Sequence, residues 1–236
     1  MATISLPPND PRIKVVGGFG ELVTTPFEGG VNALCWPREL PGDFGEVVAR
    51  LGGGEGIVTL DEARLHSLPV SAAGRVAIGI LLEDQRLLRA LDRDPVLNCI
   101  HGYPRDEESA PVSTDVFSFH ADRAPVEADT WLCTYHGPAS EGLRNDEAQR
   151  HVDLPATRAA LLQLFGGEDG DDFREFLSEH CYDLHYAAIP PARPFSFGLG
   201  NLWRIAVDWP VSRVPPCIHR APETLPGHPP RLLLIS

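Results

Sequence analysis

The run Asp115-Val116-Phe117-Ser118-Phe119-His120-Ala121-Asp122 decides how the C-terminal half of this chain is read. It is rich in residues that favour extended backbone, and it ends on a histidine and an aspartate two positions apart. Residues two apart on a strand point to the same side, so a strand that carries His120 inward carries Asp122 inward too. A short Arg123-Ala124-Pro125 break leads to a second strand-like run, Thr130-Trp131-Leu132-Cys133-Thr134-Tyr135. From residue 113 onward, short strands alternate with Gly and Pro turns, the texture of a β-sandwich or barrel. The exception is 154–181, where Leu154–Phe165 and Asp171–Cys181 read as two helices inserted between early and late strands.

His-x-Asp alone is a weak motif. The chain holds nine histidines and a second copy, His151-Val-Asp153. That copy precedes a helical pattern, and Asp153 reads as its N-cap with Leu154-Pro155 opening the helix. Near the C-terminus His219 sits in the proline-bounded stretch Pro215-Pro216-Cys217-Ile218-His219-Arg220-Ala221-Pro222. Two histidines and one carboxylate are the ligand set of a non-haem iron(II) centre with open positions. His120, Asp122 and His219 are therefore the candidate ligands, with a later strand bringing His219 across a closed sheet. Arg231 opens the apolar run Arg231-Leu232-Leu233-Leu234-Ile235. Buried there, it needs an anionic partner; a dicarboxylic acid would supply one through a two-pronged contact. At a strand end it could equally reach solvent. Arg123 and Arg220 adjoin proposed ligands and so should face the other way.

His120-x-Asp122, His219 and Arg231 together resemble the iron(II)- and 2-oxoglutarate-dependent dioxygenase superfamily, whose members share a double-stranded β-helix, also called a jelly roll or cupin-like fold. Gly30–Arg38, Phe119–Asp122, Leu132–Pro138 and His219–Pro222 are also similar to a bacterial family of unknown function. The superfamily resemblance covers the C-terminal half. It implies Fe(II) on His120, Asp122 and His219, and 2-oxoglutarate with its distal carboxylate on Arg231. Members often add a Ser, Thr or Tyr beside that arginine; Tyr135 is the candidate here. The implied activity is oxidation of a small-molecule substrate coupled to decarboxylation of the keto-acid. A cupin-like metalloprotein holding zinc, nickel or manganese in a non-redox or metal-handling role is the alternative, and a metal-free binding barrel a third.

At 236 residues the chain suits one domain: an N-terminal extension over 1–95 whose helices pack on the barrel, and a β-helix core over 96–236. Phe44–Leu51 and Gly74–Arg93 read as helices, the second with an apolar stripe that Asp94-Pro95 stops. Val96–Ile100 reads as a strand. A net charge of −13 makes nucleic acid a poor partner. No apolar run approaches the ~18 residues of a membrane span, and the first residues lack the basic start and apolar core of a secretory signal. Five cysteines without a C-x-x-C pair fit a reducing cytoplasm. No phosphate-binding glycine loop or nucleophile elbow occurs. His180 and His185 are metal-capable, but five apart they share neither a helix nor a strand face, and a helix end followed by a strand explains them.

Overall fold

The computed structural model describes residues 9–105, 110–223 and 227–236. The N-terminal part contributes β1 (Ile13–Val15), α1 (Phe19–Thr24), β2 (Ala33–Trp36), α2 (Phe44–Leu51), β3 (Ile57–Thr59), α3 (Glu62–Ser67) and α4 (Ala72–Arg89). Then follow β4 (Val96–Ile100), β5 (Phe119–His120), β6 (Asp129–His136), β7 (Glu141–Leu143) and β8 (Ala148–Arg150). Helices α5 (Pro155–Phe165) and α6 (Asp171–Glu179) precede β9 (His185–Ala188), β10 (Phe195–Ser196), β11 (Leu202–Ala206), β12 (Ile218–Arg220) and β13 (Arg231–Ile235).

The protein is mainly β with flanking helices. One sheet has the order β1-β2-β11-β6-β13-β4-β3 and the other β10-β7-β12-β5-β9-β8. Apart from the parallel β1–β2 pair, the ladders between these strands are antiparallel. From β4 to β7 the chain steps between the two sheets strand by strand, and it does so again from β10 to β13. Strands from the two ends of the core thus interleave, and β13 closes between β4 and β6.

Alternation along these strands sorts two apolar layers. Leu97, Cys99, Trp131, Cys133, Leu232 and Leu234 face the helices and pack with Val47, Leu65, Leu81 and Leu88. Ile100, Leu132, Trp203, Ile205 and Leu233 face inward toward Phe197 and Cys217. Leu81 and Leu88 have no exposed surface, so truncating either to alanine costs about 2–5 kcal/mol. The start of α4 is fixed by the Ser71 hydroxyl, which accepts from the Gly74 N–H, and by Glu46 on α2, which accepts from Ser71 N–H and O–H.

Several boundaries differ from the sequence reading. Helix α4 begins two residues before Gly74 and ends at Arg89, because Asp92 turns the chain with φ 56°. The 1–95 segment supplies helices outside the larger sheet and three strands that extend both ends of it; β1 and β3 fall where the sequence reads as extended, around Ile13–Val16 and Ile57–Leu60, and β2 was not foreseen. Helices α1 and α3 are short and carried no stripe long enough to recognise. The 154–181 insertion forms α5 and α6, packed over Val112, Val152 and Tyr182. Pro155 opens α5 as expected, but Asp153 does not cap it: that carboxylate pairs with Arg150.

Candidate metal centre

His120 occupies the second position of a two-residue strand, in register with His219 on one side and His185 on the other. Asp122 lies just past the strand end. The Ala121 N–H donates to the Leu184 carbonyl and the Asp208 N–H to the Asp122 carbonyl, which pins the bend on both sides. His219 is the middle residue of β12 and is buried. Its neighbour across the ladder is Gly142, where a Cβ would fall 2.3 Å from the Phe195 ring. Only a glycine lets β7 lie this close beneath Phe195.

The three side chains converge. His120 Nε2 is 4.0 Å from Asp122 Oδ1 and His219 Nε2 is 3.8 Å from Asp122 Oδ2; one ligand atom from each lies within 4.8 Å of the others. Among the described residues this is the one group of three or more His, Cys, Asp or Glu side chains gathered tightly enough for a metal ion. His120 Nδ1 faces the Ser118 carbonyl at 2.8 Å. A proton on that nitrogen leaves the Nε2 lone pair directed at the centre. The Cys217 carbonyl faces His219 Nδ1 at 3.4 Å. The Thr130 hydroxyl donates to Asp122 Oδ2 at 2.6 Å.

Electrostatics keep His120 and Asp122 in their ligating forms. Burial, and after it His219, pushes His120 down to about 4, against the opposing pull of the Ser118 carbonyl, Asp122 and Asp115. The ring is then neutral at pH 7. Burial alone would raise Asp122, but His219, the Thr130 hydrogen bond and His120 outweigh it and hold the carboxyl below its usual range. Two imidazoles and a carboxylate suit a divalent first-row ion, and the donor set does not select which.

The same cavity, about 220 Å³, is lined by His120, Asp122 and His219 and by Tyr103, Ser140 and Arg231. Ile100, Leu132, Leu233 and Ile235 line its inner faces as well or close it from behind. Arg231 is 4% exposed. Its Nε donates to the Pro138 carbonyl at 2.8 Å, one terminal nitrogen to the Tyr103 hydroxyl at 2.7 Å and the other to Ser140 Oγ at 2.9 Å. All three acceptors are neutral, and among the described residues no carboxylate reaches Arg231 within ion-pair distance.

No family model matches the chain, and no curated protein or solved structure matches it either.

The structure thus gathers His120, Asp122, His219 and Arg231 around one cavity, and it does not bring Tyr135 there. Tyr135 is a correction. Its hydroxyl donates to Asp84 Oδ2 at 2.6 Å, and its ring stacks on Phe44 of α2, on the helix side of the sheet. Thr130 and Leu132 face inward, so the period of two turns Tyr135 outward. A register shift opposite Leu232 and Leu233 then turns His136 outward as well, against Gly45.

The residues beside Arg231 are Tyr103 and Ser140, which sit in connecting segments where no periodicity marks them. Thr130 was legible: it is two residues from the inward Leu132 on the same strand. The second His-x-Asp copy lies in a single helical turn outside the site. His180 Nδ1 rests on the Phe176 carbonyl at the end of α6, whereas His185, already on β9, lies beside His120 with ring centres 5.6 Å apart. Arg123 turns outward to Asp183, Asp208 and Ser178. Arg220 pairs with Glu141 at the cavity edge. Trp131 and Trp203 are core residues. No helix of the described residues is long and apolar enough to cross a membrane.

Proposed function

We propose that this chain is a mononuclear non-haem iron(II) oxygenase that uses 2-oxoglutarate as co-substrate and oxidises a small molecule. The observation that carries this reading is Arg231: a buried guanidinium whose acceptors are all neutral, in the same small cavity as the His120, Asp122 and His219 cluster. A buried cation without a counter-charge is costly. A dicarboxylate that chelates a metal at one end and meets Arg231 at the other removes that cost. Had Arg231 faced solvent, the non-redox cupin-like alternative would have been favoured.

A double-stranded β-helix is the finer fold we infer. The strand orders β4-β13-β6-β11 and β10-β7-β12-β5, with the chain stepping between sheets, support it. When bound, iron(II) with the keto-acid and dioxygen supplies oxidative decarboxylation to succinate coupled to attack on a substrate C–H bond. The protein's part is positional. His120, Asp122 and His219 would hold the ion. Thr130 fixes the Asp122 carboxylate, and Tyr103 and Ser140 hold Arg231, which would meet the distal carboxylate. Leu132, Leu233 and Ile235 keep water from the cavity wall.

The test is anaerobic titration of the iron(II) protein with 2-oxoglutarate. A weak visible charge-transfer band should develop. Arg231→Leu should weaken binding while metal content stays nearly unchanged, and Arg231→Lys should recover only part, since an ammonium lacks the planar fork. Wild-type protein showing neither the band nor calorimetric binding would sink the keto-acid reading and leave the cupin-like metalloprotein in its place.

A further inference from the structure

A second, larger recess of about 710 Å³ opens on the helix side of the larger sheet, among the loop after α1, the segment before β6 and the segment 209–214. Its polar floor is built around Asp129, whose side chain is 5% exposed. Arg93 reaches that carboxylate at 2.8 Å, Arg204 Nε at 2.6 Å and the Trp131 indole N–H at 2.8 Å. Two guanidinium charges therefore share one carboxylate. Arg204 has further acceptors, the Leu22, Val23 and Thr25 carbonyls around the end of α1. Arg93 is less complete. Its Nε is buried and meets no acceptor, while its side chain is 35% exposed toward the recess. At the rim, Arg213 and Glu127 offset each other in formal charge. The floor keeps one positive charge in surplus, in a chain whose net charge is −13.

The walls have a different chemistry. Phe27, Trp209, Val211 and Val214 line the recess, and Val211 is 71% exposed. A guanidinium floor under apolar and aromatic walls suits a small organic monoanion. Its carboxylate would meet the exposed side of the Arg93 guanidinium, and its apolar body would lie between Phe27 and Trp209. This recess is lined by none of the metal-cavity residues.

We propose that it is a second binding site, independent of the metal, for a small carboxylate with an aromatic or branched apolar body. Calorimetry on chelator-treated protein tests it, with phenylacetate and inorganic phosphate as separate titrants. Phenylacetate should bind one-to-one. Arg93→Gln should weaken it by about tenfold, the scale of one lost charge-assisted contact, and Trp209→Ala should weaken it several-fold. Arg231→Leu should leave it unchanged. Arg93→Gln also removes a partner of buried Asp129, so Trp209, which is not part of that ion pair, carries the test if that variant fails to fold. No binding of phenylacetate to the wild type at millimolar concentrations overturns the proposal. So does binding abolished by Arg231→Leu, which would place the ligand in the metal cavity. Phosphate binding as tightly as phenylacetate, with no effect of Trp209→Ala, overturns the organic class of the ligand.

Discussion

The Thr130 hydroxyl donates a 2.6 Å hydrogen bond to Oδ2 of Asp122. With that oxygen engaged and His120 Nε2 nearest the other, the carboxylate has one defined orientation toward the two imidazoles. Loss of such an outer partner weakens metal binding by about 10–100-fold. Thr130→Val should show this drop in equilibrium metal affinity with little change in fold, and Thr130→Ser should restore most of it. Equal affinity of Thr130→Val and wild type would mean that the hydroxyl does not position the ligand.

The two His-x-Asp copies give a contrast within one chain. His120→Ala and Asp122→Ala should abolish retention of iron(II) or a surrogate divalent ion through gel filtration. His151→Ala should retain it, because His151 lies in a separate helical turn. Elemental analysis of the three proteins decides the matter, and the reverse pattern would relocate the site.

Two tyrosines should separate binding from stability. Tyr103→Phe removes one acceptor of the Arg231 guanidinium and should weaken 2-oxoglutarate binding at unchanged metal content. Tyr135→Phe should leave keto-acid binding intact and lower unfolding stability, since it strips a donor from buried Asp84. The cost of leaving such an acceptor short is about 1–3 kcal/mol, readable as a shift in denaturant midpoint.

Acid should destabilise the metal-free protein through His120. Folded, the ring titrates at about 4 rather than at the ordinary 6.5. Between those values the unfolded chain binds more protons, so stability rises with pH across the window; it is complete above the ordinary value and lost as pH falls toward the folded one. His136 and His151, also lowered by burial, act in the same direction. Denaturant midpoints of chelated His120→Gln should therefore depend less on pH in that window than wild type, though not become flat.

What the sequence made legible follows from periodicity. Strands β4, β6 and β13 were recognisable as short, turn-bounded apolar runs, and helices α2 and α4 because their burial repeats near 3.6 residues. His120 and Asp122 were recognisable because His-x-Asp closes a run of strand formers, and His219 because it sits in a proline-bounded stretch. The partners of Arg231 were not, since Tyr103 and Ser140 reach it from irregular segments whose approach is set only by the closed tertiary structure. Tyr135 misled because it looked well placed in a strand; the parity of the strand sends it to Asp84 instead. Only the end of the run Asp115–His120, which reads as extended throughout, is strand: β5 is two residues long, and Asp115–Ser118 turn.

That short strand has a mechanical meaning. The six-stranded sheet is continuous only through β5: His120 pairs with His219 on one edge and with His185 on the other, and β9, β8 and the helices between them hang from this joint. An ion gripped by His120, Asp122 and His219 would be a rivet through the sheet's narrowest seam, joining segments that the whole helical insertion separates along the chain. Occupancy would then be felt far from the cavity. Amide protons of β9 and of Tyr182–Leu184 should exchange more slowly with metal than without, while those of α4, on the far side of the larger sheet, should hardly notice.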